Sequence, residues 1–351
     1  MSTAESQEST RVLPRAVLVV LGLAAAVVVI AGMKASASIL GPTFLALLLV
    51  VAVHPMRNWL RRKGLPEWAT VTIALTAIYA VLLGLVASLV VSVARFATIL
   101  PQYQGKFDEL LGQARRLLGQ YGVGDEQVQK ALNVDANRVF SVIGAAVGST
   151  VSVLSALLLV ATLALFMAAD AAGYGRRLAV VERDRPHLVE ALRTFSRGTR
   201  QYLFVSTVFG LIVAALDVVA LWTLGIPLPL LWGLLAFITN YIPNIGFVLG
   251  LVPPALLGLL EGGPMTMLIV IVVYSIINFV VQTVIQPKIV GDTAGLSVTL
   301  AMTSLIFWGW VLGPLGALLA IPLTLLAKAL LVDADPSARW FDVFLASKVR
   351  T

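Results

Sequence analysis

Two apolar stretches in the last third of the chain, residues 227–261 and 296–331, are each interrupted at mid-length by proline and glycine. The first breaks at Tyr241-Ile242-Pro243-Asn244-Ile245-Gly246 and the second at Gly313-Pro314-Leu315-Gly316. Read as helix, each half spans about fifteen to eighteen residues, or about 22–27 Å at about 1.5 Å per residue. A hydrocarbon core is about 30 Å thick, so a half is short for a full crossing. An unbroken helix through either stretch would be about 52 Å long, far more than a bilayer needs. The economical reading is two helical hairpins that dip into a membrane. Paired, short segments interrupted by Gly and Pro are the best sequence pointer to a solute site near the midplane.

Composition agrees with that reading and removes several others. The 351 residues are 59% hydrophobic and only 12% charged, against about 25% charged in a soluble domain. Cysteine is absent, which excludes disulfides, thiolate metal sites and Cys nucleophiles. The net charge of +7 is spread over the connections between apolar runs, and no segment offers a basic folded face for nucleic acid. His54 and His187 are far apart and belong to no metal-ligand pattern. No Gly-rich phosphate loop is present, so the chain is not by itself an ATP-driven pump. Val290-Gly291-Asp292 is similar to the Gly-Asp step of intramembrane aspartyl proteases, but the motif around it is missing. The chain reads as a non-enzyme without a cofactor.

Apolar runs at 16–33, 39–54, 69–100, 147–169, 203–224 and 264–286, with the two broken stretches, predict an all-α polytopic bundle. Basic residues then set its orientation. Arg11 and Arg15 precede the first run, Arg57, Arg61, Arg62 and Lys63 follow the second, and seven arginines from Arg176 to Arg200 follow the fourth. One crossing per run puts these on one side, the cytoplasm. Lys288 joins them only if 227–261 starts and finishes outside, and 296–331 must then start and finish inside. Full tilted spans in place of re-entrant halves would give the same sidedness. Residues 1–15 and 333–351 read as cytoplasmic tails around a transporter domain at 16–332. Residues 170–202 read as an Arg-rich cytoplasmic loop, with a helix start at Arg185-Pro186. In the extracytoplasmic segment 101–140, Leu110, Ala114, Leu117, Leu118 and Tyr121 follow helical spacing and suit a membrane surface or a contact between subunits.

Polar residues inside the apolar runs are the candidate functional groups. Asp217 lies near the middle of 203–224, where a carboxylate costs about 2.5–3.5 kcal/mol even on a mild insertion scale. It must face the bundle interior or a wet cavity, as a proton or cation site or as a hydrogen-bonded packing residue. Asn278, Gln282 and Gln286 fall at four-residue spacing and form one stripe, for which Asn240 and Asn244 at the first break are candidate partners. Such amides suit a neutral, polyhydroxylated solute, or serve as interhelical glue. Prolines at 243, 253, 254, 287, 314 and 322 free carbonyls that membrane depth tolerates only beside a cavity or buried in protein. Lys34, Glu261 and Lys328 read as boundary residues.

These breaks also carry a resemblance. Ile242-Pro243-Asn244-Ile245-Gly246, Val252-Pro253, Asn278, Gln286-Pro287-Lys288-Ile289-Val290-Gly291, Gly295-Leu296 and the run from Gly313 to Leu323 are similar to the AI-2E family of bacterial membrane proteins. Phe166-Met167-Ala168-Ala169-Asp170 and Arg200-Gln201-Tyr202 also match its middle portion. Family members often carry a carboxylate where this chain has Gln286, and a proline where it has Ser297-Val298. The resemblance implies transport of small solutes. Some members are linked to export of autoinducer-2, a small polar furanone-derived signal, and others to sodium(lithium)/proton antiport.

The expectation is therefore a multi-pass transporter of the bacterial inner membrane with two oppositely oriented broken or re-entrant hairpins. Its solute would be a small polar metabolite of the autoinducer-2 type, contacted by Asn240, Pro243, Asn244, Gly246, Asn278, Gln282, Gln286, Pro287, Gly313 and Gly316. Asp217 would couple a proton or sodium ion. Expected partners are the solute, that ion, the bilayer and further copies of the chain. A sodium/proton antiporter and a non-transporting membrane scaffold are the rival readings.

Overall fold

In a computed structural model of the chain, residues 14–103, 150–171, 173–243, 245–290 and 296–341 are described, with a few positions between 105 and 116. Residues 1–13 and 342–351 of the two tails, Asn244, Gly291 and Gly295 lie outside the described residues, as do the amphipathic positions Leu110, Ala114, Leu117, Leu118 and Tyr121. The described elements are helices: α1 (Arg15–Ala35), α2 (Ala37–Arg62), α3 (Glu67–Ile99), α4 (Thr150–Asp170), α5 (Tyr174–Asp184) and α6 (Pro186–Thr223). After them come α7 (Pro229–Thr239), α8 (Ile245–Asn278), a π-helical turn (Phe279–Ile285), α9 (Gln286–Val290), α10 (Val298–Leu312), α11 (Pro314–Leu318) and α12 (Ala320–Lys328).

Four described runs, Ala37–Arg62, Glu67–Phe96, Pro186–Thr223 and Ile245–Ile289, are long and apolar enough to cross a bilayer, and α4 with the bent α5 adds a fifth candidate. Their outer faces carry large apolar side chains such as Leu83 (66% exposed) and Trp222 (76% exposed). That surface suits hydrocarbon rather than water. The chain is a multi-pass membrane protein with an all-α architecture.

The Arg-rich connection over 170–202 carries two helices: α5 fills its first half, and α6 begins at Pro186, where Arg185-Pro186 was expected to start a helix. Proline at the first helical position loses no hydrogen bond and has its φ preset, so Arg185-Pro186 starts a helix that runs on into the apolar span. The polar first third of α6 thus belongs to the same rod as Asp217.

Three packed clusters hold the bundle. Ala46, Ile78, Leu82, Val160 and Ala164 join α2, α3 and α4. Leu221, Trp232, Ala255, Val270 and Tyr274 join α6, α7 and α8. Leu48, Phe195, Leu305, Trp308, Leu312, Leu319 and Leu323 join the last hairpin to α2 and α6.

The first broken stretch is a hairpin of α7 and the first part of α8. Eleven residues of α7 reach only about 16 Å at about 1.5 Å per residue. A Cβ at Gly246 would run into the Thr239 carbonyl, and one at Gly250 would lie 3.3 Å from Ala236 Cα, so only glycine lets the two limbs meet. Ile226 Cδ1 lies 3.6 Å from the Cβ position of Gly258, so the hairpin leaves at the end where it began. The chain reverses again at Gly263 (φ 78°, ψ −170°), a left-handed φ that glycine adopts without Cβ strain. Gly258 then faces Val270 and Met267, which a straight helix would hold well apart. We call the two limbs α8a (245–262) and α8b (264–278).

The second stretch repeats the device. Gly313 (φ 70°, ψ −153°) separates α10 from α11 and again precedes a proline. Gly316 packs directly on the Trp308 carbonyl, and Trp308 Nε1 donates to Thr324 Oγ1 at 3.0 Å. Leu296 and Ile321 pack on Tyr202, and Gly198 meets Leu325, so this hairpin is rooted along the N-terminal half of α6. Its tip reaches α2 through Leu315, 3.3 Å from the Cβ position of Gly41. The hairpins are therefore oppositely oriented along α6.

The ends of the elements carry paired charges. Glu261 accepts from Tyr103 and from Lys106 at 3.0 Å, Lys34 lies 4.2 Å from the Trp310 ring, and Lys328 pairs with Asp333 at 2.8 Å. At the end where α2 and α4 finish, Arg57 Nη1 approaches the Ala168 carbonyl at 3.5 Å. There an Arg200 N–H reaches His54 Nδ1 at 3.2 Å. The basic clusters of α2, α5 and α6 thus share one end of the bundle.

Overpacking a close backbone contact costs about 1–3 kcal/mol. Gly246→Ala and Gly316→Ala should each lower the melting temperature of the detergent-solubilised protein, whereas Gly22→Ala, with nothing within 4 Å, should not. Equal melting of all three variants would refute the close-approach role.

Candidate solute site at the first hairpin

The break between α7 and α8a presses against the middle of α6. Gly210 of α6 leaves room for Asn240, whose Nδ2 would lie 2.8 Å from a Cβ there. That same Nδ2 donates to the Ser206 carbonyl at 2.9 Å. Tyr202 Oη donates to the Tyr241 carbonyl at 2.7 Å, and the Tyr241 and Thr207 hydroxyls are 2.6 Å apart. Tyr202 of α6 thereby satisfies a carbonyl at the interrupted helix, as hydrocarbon requires, and Asn240 in turn bonds a carbonyl of α6.

From the other side, α8b and the π-helical turn bring the amide stripe to the same place. Gln282 Nε2 donates to Asn240 Oδ1 at 2.9 Å and to Asn278 Oδ1 at 2.8 Å, while Asn278 Nδ2 donates to the Tyr274 carbonyl at 2.9 Å. A chain of amides therefore runs from Ser206 through Asn240, Gln282 and Asn278 to Tyr274. Inserted π turns are frequent at functional sites, and this one carries Gln282 itself.

Two spaces adjoin this network. The larger, about 300 Å³, has Asn240, Asn278, Gln282, Ser275 and Thr283 as polar wall and Ile242, Pro243, Phe247 and Phe279 as apolar wall. Ligand pockets run from about 300 to about 1,000 Å³ and combine an apolar lining with a few placed polar groups. The smaller, about 10 Å³, lies between α6 and α8b and is bounded by Asp217, Val213, Thr239, Gly250 and Tyr274. Asp217 is 0% exposed, and among the described residues neither its carboxyl oxygens nor the Tyr274 hydroxyl has a hydrogen-bond partner. The volume is near the lower limit for a single water. Asn240, Asn278, Gln282 and Phe247 line both spaces.

Of the residues singled out in the sequence, Asn240, Pro243, Asn278 and Gln282 converge on the larger cavity, and Gly246 and Asp217 border the smaller. Asn244 lies outside the described residues. Gln286 and Pro287 stand one turn further on, at the start of α9, and line neither space. Gly313 and Gly316 shape the second hairpin and also line neither. The sequence reading missed Tyr274, Ser275, Thr283, Phe247 and Phe279. Tyr274 carried a usable signal, because it precedes Asn278 by four residues and so continues the amide stripe.

Comparison with known proteins agrees with this architecture. Residues 23–334 match the AI-2E family transporter family. The chain is 30% identical over 310 residues to the AI-2 transport protein TqsA of Escherichia coli K12, covering 88% of this chain and 90% of that protein. It is 28% identical over 313 residues to the putative transport protein YhhT of the same strain, covering 88% and 89% of the two chains. A putative transport protein of Haemophilus influenzae is 28% identical over 328 residues, covering 91% and 94%. With most of its length matched and its membrane-spanning helices in place, the chain belongs to the AI-2E family of membrane transporters.

Proposed function

We propose that the chain exports a small polar metabolite of the autoinducer-2 type across the bacterial plasma membrane, holding it in the amide-lined cavity at the first hairpin. The observation that carries this reading is the convergence of Asn240, Asn278 and Gln282 on one space of about 300 Å³. Amides offer both donors and acceptors without net charge, which suits hydroxyl and carbonyl groups on a compact neutral solute. Phe247 and Phe279 offer apolar faces for its carbon skeleton. The relative named for AI-2 transport supports the choice of solute class. The basic end of the bundle, with Arg61, Arg62 and Lys63 after α2 and Arg176, Arg177 and Arg183 on α5, is read as cytoplasmic by the positive-inside rule. On that orientation the first hairpin is rooted outside and the second inside, and both tails lie in the cytoplasm.

In this reading Asp217 is the ion-coupling residue. A buried carboxyl with no described hydrogen-bond partner has two open acceptors for a proton or a sodium ion, and Tyr274 supplies a further oxygen beside it.

Purified protein in proteoliposomes should move an autoinducer-2-type solute. Asn240→Leu combined with Gln282→Leu should reduce that flux at least about tenfold, since loss of one buried hydrogen-bonding group costs about 1–3 kcal/mol. Full flux in the double variant would overturn the amide site, and no flux in the parent protein would favour the scaffold reading. Asp217→Asn should abolish cation-dependent proton movement measured with an internal pH dye. Unchanged proton movement would remove Asp217 from the mechanism. Tyr274→Phe separates the pair, since only a role for its hydroxyl predicts a partial loss in this variant.

A further inference from the structure

Helix α5 meets the bundle chiefly through α6. It follows α4 after a bend of 68° and contains no buried residue. Its sequence is amphipathic: Tyr174, Leu178 and Val181 recur at intervals of four and three, which places them on one helical face. Tyr174 is 57% exposed and Val181 40% exposed, with Leu178 between them half-buried, so most of that face lies uncovered by the described residues. Arg176 and Arg183 lie on the opposite side and Arg177 on the flank. Of the two acids in α5, Glu182 is already engaged, accepting from both terminal nitrogens of Arg193 at 2.6 and 2.8 Å. Its positive charge is therefore left largely uncompensated.

Direction and chemistry point to one occupant. An axis turned by 68° from a spanning helix lies about 22° from the plane of a bilayer that α4 crosses upright. Helices of this composition, with an apolar stripe and an arginine-rich polar face, settle in the interface between headgroups and acyl chains. A tyrosine at the first position is also typical of the headgroup level. The arginines match an anionic leaflet, and the neighbouring Arg61, Arg62 and Lys63 extend the same basic end.

We propose that α5 docks on the anionic surface of the bilayer, with Tyr174, Leu178 and Val181 immersed and its arginines among phosphates. The Glu182–Arg193 pair then transmits that anchorage to α6, the rod that carries Gly210 and Asp217. Membrane docking of α5 thus sets the depth at which the candidate site sits.

The chain contains no cysteine, so a single introduced thiol reports one position. Full-length Val181→Cys and Arg183→Cys variants, spin-labelled and reconstituted, are compared in vesicles of phosphatidylglycerol with phosphatidylcholine and in phosphatidylcholine alone. In the anionic vesicles the label at 181 should be accessible to oxygen and shielded from a water-soluble nickel chelate, and the label at 183 should show the reverse. High salt or the neutral vesicles should raise nickel access at 181 severalfold. Equal nickel access at both positions in both vesicles would overturn the proposal. Shielding of 181 from both oxygen and nickel would also overturn it, by assigning the face to protein. An oxygen-accessible signal at 181 that ignores lipid charge and salt would reject the anionic partner. Co-elution of both labelled proteins with the parent on size exclusion separates these outcomes from misfolding.

Discussion

An interrupted helix inside hydrocarbon must find partners for the backbone groups that its break releases, and the region around α6 is organised by that requirement. At the first break the Tyr241 carbonyl receives the Tyr202 hydroxyl, and Asn240 returns an N–H to the Ser206 carbonyl. Local bonds such as Ile242 N–H to the Thr239 carbonyl, at 2.8 Å, complete the turn. Each of these partners sits on α6 or within the hairpin itself. Remove α6 and the hairpin tip would strand polar groups at membrane depth. The long helix is thus the condition for the break, and the break is what brings amides to the middle of the bundle.

Glycine makes the arrangement sterically feasible. Gly246 and Gly316 lie directly on carbonyls of the opposing limb, and Gly210 makes space for Asn240. Gly263 and Gly313 supply left-handed φ values before a proline, once in each half of the region. Glycine-backed packing therefore recurs in both hairpins, whereas the Gly-Pro reversal forms the tip of the second and follows the outgoing limb of the first.

Much of this was legible in the amino-acid order. Proline, glycine and segment length located both breaks, and four-residue spacing found Asn278 and Gln282. The parts that were not legible have physical reasons. The stripe was drawn with an α-helical period, but residues 279–285 form a π turn. The widened turn changes the register, and Gln286 stands beyond the cavity. The arginines of 176–200 marked a polar connection, and only the helix start at Arg185-Pro186 showed within it, whereas α5 and the unbroken run of α6 into the apolar span did not. Tyr274 and Asp217 lie far apart in sequence, and their apposition depends on the reversal at Gly263. No local pattern encodes that proximity.

The two cavities share a wall, and this has an energetic consequence. Asn240, Asn278 and Gln282 spend their hydrogen bonds on one another while they face both spaces. A solute in the larger cavity must compete for those same donors and acceptors. Loosening Gln282 from Asn278 alters the helical turn that holds Tyr274, and Tyr274 forms part of the chamber around Asp217. Whatever changes the free energy of one space therefore changes that of the other, and linkage makes the effect reciprocal. Linkage fixes the reciprocity and not the sign: a group bound at Asp217 that changes solute binding by some factor has its own binding changed by solute by that same factor. In a bundle where both hairpins pack on one rod, that shared polar wall is what would couple the two proposed occupants.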